Sequence, residues 1–275
     1  MKPRLHVLDN GKLHLDRSIL VGHATLGTVD NKHAPADWTS VPTFSILIEH
    51  EEGRILFDSG CNPESHTRWP EAVRNVEYWE GPEECHLPNR LEQLGLGPKD
   101  VDVVVASHLH SDHAGCLEYF TDSTVIVHRD ELRGALEHYA TPGYAGGYIK
   151  DDIEKWIRNG IKWHIIDRHE DDIPIYDGIR LLNLGSGHVE GILGLQVTLP
   201  ETGTLILASD ACYGRQNAGL TPALPGIVSV YDSIGMVQTS RRLHYHAQRV
   251  GGEIWYGHDP EQFAAMRKSP DAYYE

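Results

Sequence analysis

Between Val104 and Cys116 the chain reads VVASHLHSDHAGC. This places His108, His110, Asp112 and His113 within six residues, directly behind a run of valines. Imidazole and carboxylate are the donors that suit a divalent metal of borderline softness such as zinc. Four donors from so short a segment cannot all serve one ion at tetrahedral angles. Two ions, each taking two of the four, is the easier geometry, and each ion then needs donors from elsewhere. The chain offers His188 in GSGH, Asp210 at the end of TLILASD and His258 at the end of EIWYGH. Each closes a run that reads as a strand, as the cluster does, and loops at strand ends commonly assemble active sites. Two cluster residues and one distant histidine per ion, with Asp210 bridging, would hold a metal pair with room for a bridging hydroxide. Any single distant histidine among 18 would ordinarily be a surface or capping group. Here Gly187 and Gly257 precede His188 and His258 and are expected to let the backbone turn sharply at a site.

The elements that must position these donors are legible as periodicity. RLHVLDNGKLHLD carries Asn10-Gly11 between two alternating runs, the pattern of a tight hairpin. TFSILIEHEEGRILFDSG predicts a second hairpin around Glu51-Glu52-Gly53. Residues 61–85 lack a clear period and read as a long loop with at most one helical turn. A short helix, a turn at Gly97-Pro98 and a buried strand from Val101 to Ala106 lead into the cluster. STVIVHRDE is another strand. Residues 131–160 read as helical except for TPGYAGGY. Three strands follow in 178–213, then a long helix from YDSIGMVQ, a strand at EIWYGHD and a last helix opened by Asp259-Pro260. Strands, helix, strands, helix suggests a two-layer sheet core with helices outside. No repeat and no Pro/Ser-rich linker divides the chain.

Bulk properties narrow the function classes. The 275 residues can bury a substantial core. A net charge of −16 without a basic run argues against nucleic-acid and anionic-membrane partners. The N-terminus lacks an apolar signal core, and no apolar stretch approaches the roughly 18 residues of a membrane span. Four cysteines without CxxC spacing read as reduced thiols of a cytoplasmic protein. Cys212, beside Asp210, reads as a small buried residue rather than a ligand or nucleophile.

HLHSDH resembles the HxHxDH signature of the metallo-β-lactamase superfamily. With GSGH, ASDACY and YGHD following in that order, the chain resembles the N-acyl-homoserine lactonases, the quorum-quenching branch. The likeness extends over LFDSG, CHLPNRLEQLGL and the tail. It implies a four-layer αβ/βα sandwich, two mixed β-sheets flanked by helices, as one domain over 1–275. It implies that His108, His110 and His188 hold one metal, that Asp112, His113 and His258 hold the other, and that Asp210 bridges. Tyr213 would approach the substrate carbonyl, and Asp58 in FDSG would orient a ligand histidine from outside.

The implied reaction opens the lactone ring of N-acyl-homoserine lactones by attack of a hydroxide between two metals. Bound metals bring the pKa of water from 15.7 towards roughly 7. Tyr213 would donate to the oxyanion, and Asp112 would return a proton to the leaving alkoxide. Zinc is the metal these donors favour; iron, cobalt or manganese also match them. An acyl tail needs an apolar groove, for which Leu20, Val21, Trp69, Tyr78, Trp79, Tyr144 and Tyr148 lie in loop-like stretches. A lactonase for another small cyclic ester would share every motif. Glyoxalase-type thioesterases carry a longer helical segment after the last histidine. RNA-processing members carry a large inserted domain, and flavodiiron relatives place a glutamate where His110 stands. Acyl-chain preference and oligomeric state stay open.

Overall fold

The computed structural model describes residues 2–143, 146–170, 173–226 and 230–275. Twelve strands are described: β1 (Arg4–Asp16), β2 (Trp38–His50), β3 (Gly53–Phe57), β4 (Glu77–Glu80), β5 (Val103–Val105), β6 (Thr124–His128), β7 (Lys162–Ile166), β8 (Ile173–Tyr176), β9 (Ile179–Gly185), β10 (Ile192–Leu199), β11 (Gly203–Ser209) and β12 (Glu253–Tyr256). The helices are α1 (Arg17–Leu20), α2 (Ser65–Arg68), α3 (Glu71–Arg74), α4 (Leu87–Glu92), α5 (Ser111–Ala114), α6 (Arg129–Ala140), α7 (Lys150–Asn159), α8 (Ser233–Val250) and α9 (Pro260–Ala265).

The strands form two sheets, ordered β4-β1-β2-β3-β5-β6-β7 and β12-β11-β10-β9-β8. Both are mixed. In the first, β3, β5, β6 and β7 run parallel; in the second, only β11 and β12 do. The two sheets face each other across one apolar layer. Ile46, Ile55 and Phe57 of the first meet Leu181, Leu195 and Leu207 of the second there. Their outer faces are covered by helices: Leu87 and Leu91 of α4, Ile153 and Trp156 of α7, and Leu243 of α8 are buried against them. This is the expected sandwich. Strands buried on both faces read as unbroken apolar runs, which is why VVV of β5 needs no alternation. Among the described residues no helix is long and apolar enough to cross a membrane.

Two expectations fail. Asn10-Gly11 does not turn a hairpin: β1 runs through it as one 13-residue strand. The pair forms a bulge, Asp9 opposite Phe44 but Lys12 opposite Pro42. Gly11 takes φ +93°, and a Cβ there would lie 2.4 Å from the Glu80 carbonyl oxygen. A bulge uses the same left-handed glycine as a tight turn, so the local signal is identical. The outcome is decided by the buried Asn10 side chain, whose Oδ1 accepts from Ser45 Oγ at 2.6 Å. Residues 61–85 are also not a loop. They hold α2, α3 and β4, which pairs antiparallel with β1, Leu15 opposite Glu77. Four residues are too few to show a period, and the partner is remote in sequence. The edge strands β7 and β8 were likewise not predicted. Of the cysteines, all four are free and buried.

Candidate metal centre

The expected donors come together at one end of the sandwich, where the parallel strands finish. β5 ends two residues before Ser107, and α5 then carries Asp112 and His113 with His110 as its cap residue. His188 follows β9, Asp210 follows β11 and His258 follows β12. Backbone bonds tie the loops to one another. Leu193 N–H donates to the Ser107 carbonyl at 2.8 Å and His258 N–H to the Tyr213 carbonyl at 2.7 Å. Asp58, just after β3, donates its N–H to the Val105 carbonyl at 3.0 Å.

The donor atoms fall into two groups, His108, His110 and His188, and Asp112, His113, Asp210 and His258, each within 4.8 Å. Asp210 faces both. Its Oδ2 lies 3.4 Å from His188 Nε2 and 3.7 Å from His108 Nε2. Its Oδ1 lies 3.2 Å from His258 Nε2 and 3.4 Å from His113 Nε2. Asp112 Oδ2 is 3.1 Å from His113 Nε2 and 3.4 Å from His258 Nε2. All are buried except His110, which is half-buried.

Outer contacts aim the rings. His113 Nδ1–H donates to Asp58 Oδ2 at 2.9 Å, and His258 Nδ1–H to the Pro42 carbonyl at 2.8 Å. His108 Nδ1 meets Ser107 Oγ at 3.0 Å, and His188 Nδ1 meets the Tyr213 hydroxyl at 3.0 Å. Partners on the outer nitrogen turn each Nε2 inward as a lone-pair donor. Asp58 and Ser209 both hold positive φ, +60° and +46°. Such strain in non-glycine residues gathers at functional sites. Ser209 Oγ donates to Asp58 Oδ2 at 3.2 Å, so the two strained residues support each other beneath the site.

The chemistry of this donor set fits metal ions. Among the described residues, buried His108 Nε2 and Asp210 Oδ1 have no partner in hydrogen-bonding geometry, an expensive arrangement unless a cation receives them. His110 Nδ1 stands 3.0 Å from His188 Nε2, and His113 Nε2 3.3 Å from His258 Nε2. Burial and neighbouring imidazoles push His108 down, and push His110 down to about 3. Burial opposes charge on His258 too, but Asp210 and Asp112 outweigh it and raise it to about 10. Asp112 and Asp210 are buried, yet the adjacent His113 and His258 hold both well below the usual carboxylate range. Three carboxylates, counting Asp58, converge here and call for positive charge. Cys212 takes no part: its Sγ donates to the Asn217 carbonyl, and burial raises its thiol to about 12.

Two glycines act otherwise than expected. Neither Gly187 nor Gly257 has a positive φ; Gly185, at +77°, makes the turn after β9. Gly257 instead permits close approach, since a Cβ there would sit 2.4 Å from Asp210 Oδ1.

Above the donors opens a cavity of about 550 Å³, with Leu13, Leu15, Ile19, Leu20, Trp38 and Val76 as its apolar wall and Tyr213 and Glu77 beside the metal groups. Of the candidate groove residues that are described, Leu20 lines it and the others do not. Trp69 and Trp79 are buried beneath the wall, and Tyr78 is exposed. Val21 is half-buried against the core that Leu20 shares. Tyr148 is buried under His110, bonded to Glu131, and Tyr144 lies outside the described residues. Leu13, Leu15 and Trp38 escaped notice because only the β1–β2 pairing brings them over the site. Glu77 was hidden with β4; the alternation in EYWE was the available signal. Burial, with Asp112 and Asp210 nearby, raises the Glu77 carboxyl to about 8.

Comparison with known proteins agrees with this geometry. The family model described as the metallo-beta-lactamase superfamily matches residues 38–210. N-acyl homoserine lactonase AiiB of Agrobacterium fabrum (strain C58) is 37% identical over 278 residues, covering 100% of both chains. A solved N-acyl homoserine lactone hydrolase, with the product N-hexanoyl-L-homoserine bound at its catalytic metal centre, superposes with a TM-score of 0.81 at 27% identity, over 99% of each chain. A mutant of AiiA from B. thuringiensis with N-decanoyl-L-homoserine at its active site gives the same score and identity, over 99% of each chain. The chain belongs to the metallo-beta-lactamase superfamily and, within it, to the N-acyl homoserine lactonase family.

Proposed function

We propose that this protein is a metal-dependent hydrolase that opens the lactone ring of N-acyl homoserine lactones. The observation that carries the reading is the division of seven His/Asp donors into two groups sharing Asp210, under a cavity with one apolar wall. His108, His110 and His188 would hold one ion, Asp112, His113 and His258 the other, with Asp210 common to both. Zinc is the best match for these donors. Bound there, the ions would supply Lewis acidity and an activated water.

The chain's own residues do the rest. His188 Nδ1 contacts the Tyr213 hydroxyl. With Nε2 used as a donor, Nδ1 carries the ring proton and the phenol oxygen accepts it. Tyr213 lines the cavity, where its hydroxyl would donate to the carbonyl oxygen as that oxygen gains charge. Asp112, which lines the cavity, would take a proton and return it to the leaving alkoxide. The apolar wall receives the acyl chain. Residues 1–275 act as one domain, and the free buried thiols accord with a cytoplasmic location.

The test is proton release on mixing metal-loaded protein with short- and long-chain N-acyl homoserine lactones, a simple γ-lactone and a glutathione thioester. Turnover of the acyl homoserine lactones that chelator abolishes is the expected result. Turnover of the simple lactone alone moves the function to another cyclic ester. No turnover of any of them with both ions bound refutes the reading.

A further inference from the structure

Among the described residues, the cavity holds one acidic side chain that neither the donor groups nor the wall accounts for. Glu77 is half-buried on β4, and its carboxylate has no hydrogen-bond or ion-pair partner among the described residues. The other acidic groups lining the cavity are engaged. Asp16 accepts from Ser18 N–H at 2.9 Å and from Ser18 Oγ at 2.5 Å, and Asp112 and Asp210 belong to the metal groups. On one side Glu77 lies within the electrostatic reach of Asp112, Asp210, His113 and His258. On the other it adjoins apolar wall: Val76 precedes it, and Leu15 is opposite it in the β1–β4 ladder. Glu77 therefore stands at the junction between reacting centre and wall.

An N-acyl homoserine lactone has the same order of parts: the ester, then an amide, then an apolar chain. Its amide N–H is its one strong hydrogen-bond donor. Buried without an acceptor, such a group costs about 1–3 kcal/mol. We infer that Glu77 is a specificity-determining residue that accepts the hydrogen bond of the substrate's amide N–H and so selects acylamino lactones over plain ones. The inference rests on the lactonase reading above. It needs no particular protonation state, because a carboxylate and a carboxylic acid both offer an acceptor oxygen.

The test compares metal-loaded wild type, Glu77→Ala and Glu77→Gln on three substrates: N-hexanoyl homoserine lactone, its isostere with an ester oxygen in place of the amide N–H, and γ-butyrolactone. Glu77→Ala should lower kcat/KM for the amide substrate about 10-fold or more, as a buried amide N–H left without its acceptor implies. It should leave γ-butyrolactone within about two-fold, which also certifies folding and metal content. Glu77→Gln, which keeps an acceptor oxygen, should retain most of the activity. Wild type should prefer the amide to its ester isostere, and Glu77→Ala should lose that preference.

An equal fall on all three substrates would mean that Glu77 serves the chemistry or the metal groups, and would overturn the assignment. So would an unchanged amide preference, or a Gln variant as impaired as Ala. Wild type that is silent on acyl homoserine lactones but active on γ-butyrolactone would sink the acyl homoserine lactone reading itself, and the Glu77 assignment with it.

Discussion

Replacing Asp58 by asparagine should loosen the hold on one ion without disturbing the fold. Four donors converge on this carboxylate. Oδ1 accepts from Ser107 N–H at 2.8 Å; Oδ2 accepts from His113 Nδ1 at 2.9 Å, Ser107 Oγ at 2.9 Å and Ser209 Oγ at 3.2 Å. Asparagine tolerates the left-handed backbone that Asp58 adopts, so the turn survives. It has only one acceptor oxygen, however. With that oxygen on Ser107 N–H, the amide NH₂ confronts His113 Nδ1–H. With the amide turned over, it confronts Ser107 N–H. The easiest escape is for His113 to move its proton to Nε2, which removes that atom as a donor. A lost hydrogen bond to a charged group is worth about 1.5–3 kcal/mol, or about 10- to 100-fold in affinity. That is the range expected for the outer partner of a ligand histidine. Competition with a chromogenic chelator, followed ion by ion, should show one of two ions weakened by this factor. The circular dichroism spectrum should stay unchanged. Two ions held as tightly as in wild type would show that Asp58 does not orient His113.

Tyr213→Phe should retain both ions at saturating metal yet turn over acyl homoserine lactones about 10-fold slower or more, the loss expected of an oxyanion donor; an unchanged kcat would remove Tyr213 from the reaction. Gly257→Ala should drive a methyl group against Asp210 Oδ1, so elemental analysis should find depleted metal and the melting temperature should fall with a loss of about 1–3 kcal/mol; full occupancy would contradict the close approach. Burial, then the Glu190 carboxylate, raises Glu131 from 4.5 to about 8. The native state thus keeps a proton that the unfolded chain releases, and this contribution to stability declines as pH rises from about 4.5 to about 8. Urea titrations should therefore show wild type losing ground to Glu131→Gln, which stays neutral, between pH 5.5 and 8; a constant difference would place the Glu131 carboxyl at its ordinary value.

What the sequence determined by itself is the set of candidate donors. His108, His110, Asp112 and His113 are neighbours in the chain, and His188, Asp210 and His258 each close a run of apolar residues. Ligand chemistry depends on residue type, and strand ends are marked by local pattern, so both are written in short stretches. The two sheets were legible for the same reason wherever a strand was long or continuously apolar. What only the tertiary structure decided is everything set by non-local pairing. The bulge at Asn10-Gly11 has the local signature of a hairpin and is distinguished from one by Thr43, Ser45, Trp79 and Cys85, far along the chain, which bond Asn10. β4 exists because β1 offers it an edge, and with β4 come Glu77 and one side of the cavity. The sharing of Asp210 between two groups of nitrogens, and the space that Gly257 leaves for it, depend on β11 and β12 lying side by side. Residue types name the chemistry, but distances of a few ångströms between segments a hundred residues apart arise only when the sheets close over their common core.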